Sequence, residues 1–221
     1  MLCVSIMTSY ALPNYCSGLN ERVLLTCVLW SLKKKLCHTM FITAVVCFVF
    51  LDATKAFDRA NYVKLFRILV EQGLPPYIIR VLINMYVTKQ ACVSWADIVS
   101  AYFPVFNGVR QGRILSSLLL CVYIDNLLLR LSNSGVGCYI GTSFVGALAY
   151  ADGTVLLSPT PAAAQKLLSI CETFASEYDI KFNAQKSKLL VAVPHNRHRQ
   201  TSHLRTCSSF SIDNSPIERV E

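Results

Sequence analysis

The sequence lacks the features that mark secreted, disulfide-stabilised and membrane-spanning proteins. Its ten cysteines are scattered and none forms a C-x-x-C pair, which predicts free thiols in a reducing compartment. The segment 1–11 has no basic stretch and no clear cleavage site, so no signal peptide is expected. The apolar run 40–51 is about 12 residues long, too short to cross a bilayer. These absences favour an intracellular protein, nuclear or cytoplasmic, with no membrane partner.

Acidic residues are scarce in this chain. It has 13 aspartates and glutamates against 21 lysines and arginines, which gives a formal net charge of +8. Such an excess favours acidic partners such as nucleic acid, although many ordinary soluble domains share it. Only 15% of the residues are charged and 53% are hydrophobic, so the 221 residues can build a sizeable core.

Two apolar stretches, far apart in the sequence, each end in an aspartate. The run 40–51 is rich in β-branched and aromatic residues, which indicates a buried strand, and Asp52 follows it directly. The stretch 144–150 turns at Asp152 and Gly153 and continues apolar, the pattern of a β-hairpin with Asp152 at its tip. A carboxylate at the edge of a core is costly unless something pairs with it, and a metal ion is one such partner. The two strand ends therefore predict a shared Mg²⁺ site.

The remaining apolar patterns predict an alternation of helices and strands. Helices are expected at 20–36, 61–72, 77–86, 114–131 and 161–178. Further strands are expected at 90–95, 101–107, 180–182 and 187–193. This order predicts an α+β fold in which helices pack on one face of an antiparallel sheet. Asp125, inside one of the helices, is expected to be solvated.

Four segments resemble, in order and spacing, the palm motifs of one polymerase family. They are FLDATKAFDRANYVKLF, NGVRQGRILSSLLLCVYIDNLL, LAYADGTVLL and FNAQKSKLLV. Together they resemble the reverse transcriptases of non-LTR (LINE-type) retrotransposons, and the match runs from about Cys47 to Val193. The resemblance implies a right-hand polymerase palm that copies RNA into DNA with two Mg²⁺ ions, or Mn²⁺ in their place. It implies an RNA template, a DNA primer and deoxynucleoside triphosphates as partners.

The resemblance also assigns roles to individual residues. Asp52 and Asp152 correspond to the catalytic, metal-binding aspartates of the family. Lys188, with Lys186 near it, falls in the motif whose lysine lies close to the triphosphate, which implies a catalytic role for Lys188 in protonating pyrophosphate. Phe57 corresponds to the aromatic steric gate that excludes a ribose 2′-hydroxyl. Further substrate contacts are implied at Ala53, Arg110, Gln111, Gly112 and Tyr150.

Simpler interpretations of the same residues stay open at this point. Asp52 could cap a turn, Phe57 could be ordinary core, and Arg110 and the lysines could be solvated. Asp58 precedes a helix and is expected to cap it. The glycines that bracket the loop 108–112 predict close backbone approach or positive φ.

The chain departs from the family pattern in ways that predict weak activity. Gly153 stands where the family has a second aspartate after Asp152, so the site is short of one negative charge. We expect a degenerate fingers-like segment at 1–40, the palm at 41–193 and a flexible basic tail at 194–221. No thumb and no endonuclease are recognised, which suggests a partial and decayed copy of a larger polyprotein.

Two other classes of function compete with an active polymerase. One is a catalytically inactive nucleic-acid-binding remnant of the same fold, which Gly153 favours. The other is a zinc-dependent or membrane-associated protein, for which the candidate ligands are His195, His198, His203 and Cys207. These four lie on a polar stretch without regular ligand spacing, which counts against a zinc site.

Overall fold

The apolar run before Asp52 forms the central strand of a five-stranded sheet. A computed structural model describes residues 46–109, 114–150, 153–192 and 210–220, and this strand (β1) spans Val46–Asp52. It lies antiparallel between β9 (Gly153–Ser158) and β10 (Lys188–Ala192). The outer strands are β8 (Ala147–Tyr150), antiparallel to β9, and β13 (Glu218–Val220), parallel to β10.

The helices that the structure describes lie at or near predicted positions, except the first of them, which the sequence did not predict. They are α1 (Ala56–Arg59), α2 (Tyr62–Glu71), α3 (Pro76–Val87), α4 (Ile114–Asn133) and α5 (Pro161–Glu177). The Asn61 side chain caps α2 by accepting from two backbone amides, and Gly73 (φ 77°) follows the end of that helix. The Thr160 hydroxyl caps α5, and a proline occupies the first turn of both α3 and α5.

Short two-stranded ladders connect these elements. The pairs are β2 (Gln90–Ala91) with β5 (Phe103–Pro104), β3 (Ser94–Trp95) with β4 (Ile98–Val99), β6 (Tyr139–Ile140) with β7 (Ser143–Phe144), and β11 (Ser211–Ile212) with β12 (Ser215–Pro216). The strands predicted at 90–95 and 101–107 are therefore shorter than expected. The strand predicted at 180–182 is reduced to one bridge, between Phe182 and Ala53.

Alternate residues of β1 face two different environments. Cys47, Val49 and Leu51 belong to the main core, to which α2, α4 and α5 contribute buried residues. Val46 and Phe48 face the opposite side and pack in a smaller cluster of buried residues. That smaller cluster extends along β1 as far as Phe50, which packs against it. The predicted α+β fold with helices on one face of a mainly antiparallel sheet is confirmed.

Helix α4 lies in the core and carries a buried carboxylate. Within the described part of the chain it is the one helix long and apolar enough to cross a membrane, and half of that stretch is buried against the rest of the protein. It packs on α2, α5 and β8. The expectation that Asp125 is solvated is wrong, because Asp125 is only 4% exposed on this helix.

Part of the polar C-terminal stretch has regular structure. The prediction of a flexible tail from residue 194 is wrong for residues 210–220, where β13 joins the sheet beside β10 and Phe210, Ile212 and Ile217 are buried. Residues 194–209 and the helix predicted at 20–36 lie outside the described residues. The four candidate zinc ligands lie there too.

Tyr123 of α4 ties three helices together, and its hydroxyl should matter for stability. This hydroxyl donates to the carbonyl oxygen of Tyr178 (2.6 Å) and accepts from the amide of Asn61 (3.4 Å). Burial is the main cause that raises the pKa of Tyr123 to about 12, so the hydroxyl keeps its proton at neutral pH. Tyr123→Phe should lower the free energy of unfolding by about 1–2 kcal/mol, since it removes the hydrogen-bond partner of two partly buried backbone groups.

Urea denaturation at pH 7 measures this effect. Tyr77→Phe is the matched control, because Tyr77 is 70% exposed and its substitution should change stability little. Equal stability of the two variants would show that the hydrogen bonds of the Tyr123 hydroxyl do not contribute to the free energy of unfolding.

Candidate active site

The end of β1 meets the closed end of the β8–β9 hairpin. Asp52 is the cross-strand partner of Gly153, and Gly153 in turn pairs with Tyr150. Only residues 151 and 152 connect β8 to β9. Asp152 lies outside the described residues, but its neighbour in sequence is thus fixed opposite Asp52. The hairpin prediction holds, although Gly153 lies in the strand ladder and not in the turn.

The register also defines which side chains share a face with Asp52. Residues two apart on a strand point to the same face, and so do cross-strand partners. Phe50 and Asp52 therefore share a face with Lys188, the partner of Phe50. This face is opposite the one that packs on the helices. The Asp52 side chain is 36% exposed there, which leaves its carboxylate accessible to solvent and to ligands.

A turn between Asn183 and Ser187 holds the backbone around Asp52. The amide of Asn183 donates to the carbonyl oxygen of Asp52 (2.8 Å), and the amide of Asp52 donates to the Ser187 hydroxyl (3.4 Å). The amide of Thr54 donates to the carbonyl oxygen of Lys181 (2.7 Å), which continues the pairing past the end of β1. Asp52 is thus fixed on one side by the hairpin and on the other by this turn.

The structure separates the two lysines of this segment. Lys186 approaches Asp52, with 3.7 Å between its Nζ and Oδ2 of Asp52. Lys188 instead forms an ion pair with Glu218 of β13. The structure thus brings Lys186, and not the predicted Lys188, to the Asp52 carboxylate. The pairing of Lys188 depends on β13, a strand that the sequence did not predict.

The loop that begins at Gly108 is anchored to the segment after Asp52. The amide of Val109 donates to the carbonyl oxygen of Phe57 (2.7 Å), and the amide of Gly108 donates to that of Ala60 (3.0 Å). Gly108 has φ 88°, and a Cβ there would lie 2.8 Å from the backbone of Asp58. Only glycine permits this close approach. Arg110, Gln111 and Gly112, which follow, lie outside the described residues.

Other predicted site residues occupy less accessible positions. Ala53 is only 3% exposed, so its side chain lies in the core and only its backbone is available to a substrate. Phe57 is half-buried and packs against the main core. The expectation that Asp58 caps the next helix is wrong, because Asp58 is exposed within α1 and Asn61 caps α2.

The donor groups at this junction suit a hard divalent cation. Asp52 offers an accessible carboxylate, and carboxylate oxygens are the ligands that Mg²⁺ prefers. Among the residues that the structure describes, no group of three or more histidine, cysteine, aspartate or glutamate side chains converges to form a metal site. A cation at Asp52 would therefore depend on Asp152, in the connection between β8 and β9.

The arrangement agrees with the polymerase palm that the sequence motifs predicted: helices pack on one face of a mainly antiparallel sheet, and a strand-end carboxylate lies on the other face beside a tight hairpin. The chain belongs to the family described as reverse transcriptase (RNA-dependent DNA polymerase), whose profile matches residues 23–210. This confirms the family that the four sequence motifs indicated.

The relatives by sequence are polyproteins of non-LTR retrotransposons. The chain is 31% identical over 171 residues to the retrovirus-related Pol polyprotein from type-2 retrotransposable element R2DM of Drosophila melanogaster. It is 28% identical over 170 residues to the corresponding type-1 element R2 protein of Nasonia vitripennis. Each match covers 77% of this chain, which spans 16% of the length of either relative.

Solved structures with a similar fold include telomerases. The telomerase of Candida tropicalis, in complex with a TWJ fragment of telomeric RNA, superposes with a TM-score of 0.59 at 13% identity. That match covers 85% of this chain and 32% of the telomerase. The apo form of the same enzyme, truncated from its C-terminal domain, gives 0.54 at 12% identity over 78% of this chain and 36% of its own. At these identities the likeness shows the fold alone, and it agrees with the predicted palm.

Proposed function

We propose that this chain carries the active site for RNA-templated DNA synthesis, at the junction of β1 with the β8–β9 hairpin. The observation that carries the proposal is the pairing of Asp52 with Gly153, the residue after Asp152. This pairing holds Asp52 and Gly153 side by side at one end of the sheet. The reaction is nucleotidyl transfer, in which a primer 3′-oxygen attacks the α-phosphate of a deoxynucleoside triphosphate and pyrophosphate leaves.

Reverse transcriptases generally use divalent metal ions. We infer that Asp52 and Asp152 hold two Mg²⁺ ions, or Mn²⁺ in their place. When bound, such ions stabilise the charge on the attacking and leaving oxygens of the transfer. The contribution of the protein is to fix the Asp52 carboxylate at the end of β1, where the hairpin and the 183–187 turn hold its backbone.

The other site residues are proposed to bind substrate around these carboxylates. Phe57 is half-buried just beyond β1, where an aromatic side chain would exclude a ribose 2′-hydroxyl. The roles of Arg110, Gln111, Gly112 and Tyr150 toward the triphosphate and the template remain those that the resemblance implies. Lys186 lies 3.7 Å from the Asp52 carboxylate, whereas Lys188 is engaged in an ion pair with Glu218. Lys186 is therefore the better candidate to approach the triphosphate.

Gly153 is expected to weaken catalysis. The family has a second carboxylate there, and a side chain at this position would share a face with Asp52. Without it, fewer negative charges are available to hold cations near a triphosphate. We therefore expect the unchanged chain to synthesise DNA slowly or below detection.

A second candidate function is nucleic-acid binding without synthesis. Gly153 and the ion pair between Lys186 and Asp52 favour it, because both reduce the negative charge available to a cation. The net charge of +8 would support binding in either case. Such binding should weaken steeply with salt, since phosphate contacts release counterions.

Primer extension separates the two candidates. Oligo(dT) annealed to poly(rA) is incubated with TTP, Mg²⁺ and the chain, and binding of the same duplex is measured at several salt concentrations. Incorporation that requires Mg²⁺ and the RNA template supports the polymerase. Salt-dependent binding with no incorporation, even by the Gly153→Asp variant, would support the non-catalytic function instead.

A further inference from the structure

We propose that Asn183 is a positioning residue for the active site, a role that rests on the proposed function. Its side chain and backbone hold the 183–187 turn against the end of β1. This turn fixes the main chain of Asp52 and brings Lys186 to the Asp52 carboxylate. Asn183 itself touches neither the carboxylate of Asp52 nor, in this proposal, any substrate.

The first step of the argument is the fold of the turn itself. Oδ1 of Asn183 accepts from the amides of Gln185 (3.1 Å) and Lys186 (3.3 Å). The carbonyl oxygen of Asn183 accepts from both the amide (2.9 Å) and the hydroxyl (2.7 Å) of Ser187. Asparagine is suited to this position because its short amide side chain can bond to the backbone two residues further on. Four hydrogen bonds within five residues thus converge on Asn183.

The second step is the connection from this turn to Asp52. The amide of Asn183 donates to the carbonyl oxygen of Asp52 (2.8 Å), and the Ser187 hydroxyl accepts from the amide of Asp52 (3.4 Å). Ser187 is fully buried, so its hydroxyl is held in one environment. Both backbone groups of Asp52 are therefore bonded to the two ends of a single turn.

The third step concerns Lys186. Its side chain is 69% exposed, so packing does little to hold it near Asp52. An exposed ion pair with a separation of 3.7 Å is worth little by itself. The position of Lys186 is therefore set mainly by its backbone, which the Asn183 side chain fixes. Loss of that side chain should disturb Lys186 and Asp52 together.

The experiment compares Asn183→Ala with Asn61→Ala. Asn61 makes the same kind of contacts, since its Oδ1 accepts from the amides of Val63 and Lys64 as the cap of α2. It lies outside the site, so its loss should cost stability without changing cation binding. The affinity for Mn²⁺ is measured by electron paramagnetic resonance on the full chain. In parallel, the Mg²⁺ concentration for half-maximal primer extension is measured in a Gly153→Asp background.

Asn183→Ala should weaken Mn²⁺ binding by about 10-fold, the scale on which partners of metal-binding residues act. Loss of the backbone support for Asp52 should outweigh the release of Lys186, because the exposed Lys186–Asp52 ion pair is worth little. It should raise the half-maximal Mg²⁺ concentration similarly, while Asn61→Ala leaves both unchanged. Asn183→Ser should recover part of the loss, because a hydroxyl accepts from the same amides and adds no charge. If Asn183→Ala does not fold, Asn183→Ser and Ser187→Ala carry the comparison.

The outcomes distinguish failure of this inference from failure of the proposed function. Equal Mn²⁺ affinities for the Asn183 and Asn61 variants, while Asp52→Ala binds Mn²⁺ weakly, would overturn the positioning role alone. Absence of any recovery in Asn183→Ser would also overturn it. An Asp52→Ala variant that binds Mn²⁺ normally would overturn the proposed site, and the role of Asn183 with it.

Discussion

The Gly153→Asp variant should synthesise DNA faster than the unchanged chain, by up to about 10²–10³-fold. Cross-strand partners have Cβ atoms about 4.5–5.5 Å apart, so the new carboxylate would lie beside that of Asp52. A carboxylate in that position adds negative charge where cations must be held. The figure corresponds to about 3–4 kcal/mol of transition-state stabilisation. Steady-state primer extension on poly(rA) at saturating Mg²⁺ measures it.

Gly153→Asn is the matched control for this prediction. Asparagine has nearly the same shape as aspartate and the same preference for the end of a strand, but it carries no charge. Gly153 lies in an extended ladder, a conformation that any residue adopts, so both variants should fold. An equal gain in the two variants would mean that side-chain volume, and not charge, limits the site.

Asp52→Ala, introduced into the Gly153→Asp chain, should reduce DNA synthesis by about 10³-fold or more. Among the described residues, Asp52 supplies the accessible carboxylate at the end of β1, opposite the hairpin. The alanine variant should remain folded, since the backbone of residue 52, and not its side chain, makes the bonds to the 183–187 turn. Thermal denaturation should therefore give similar midpoints with and without the substitution.

Asp58→Ala provides the control for Asp52→Ala. Asp58 belongs to the same sequence motif, but it is exposed on α1 and the structure gives it no part in the junction of β1 with the hairpin. Its loss should leave DNA synthesis within a few-fold of the parent. If Asp58→Ala is as damaging as Asp52→Ala, the metal site has been assigned to the wrong aspartate.

Most of the sheet and the helices could be predicted because their signals are local. The apolar run before Asp52 predicted a strand, and the structure makes it the central one. The helix predicted at 61–72 spans Tyr62–Glu71, but its cap is Asn61 and not the predicted Asp58. The hairpin at 144–157 followed from two apolar stretches on either side of Asp152. The family resemblance then assigned Asp52 and Asp152, at the ends of two strands, to a single metal-binding site.

The parts that could not be predicted depend on contacts between distant segments. β13 is three residues long and lies in a polar stretch, so only its pairing with β10 makes it a strand. That pairing brings Glu218 beside Lys188, and the two side chains form an ion pair. Lys186 is then the lysine of this segment that lies near Asp52. Asp125 was expected in solvent because it is charged, but the packing of α4 buries it.

The central claim is that Asp52 and Asp152 share a divalent cation, and a crystal structure of the Mn²⁺-soaked chain tests it most directly. Anomalous scattering locates Mn²⁺ independently of the protein coordinates. We predict a peak at the end of β1, about 2 Å from a carboxylate oxygen of each aspartate. A peak that contacts neither aspartate, or an Asp152 side chain on the face of the sheet that packs against the helices, would contradict the account.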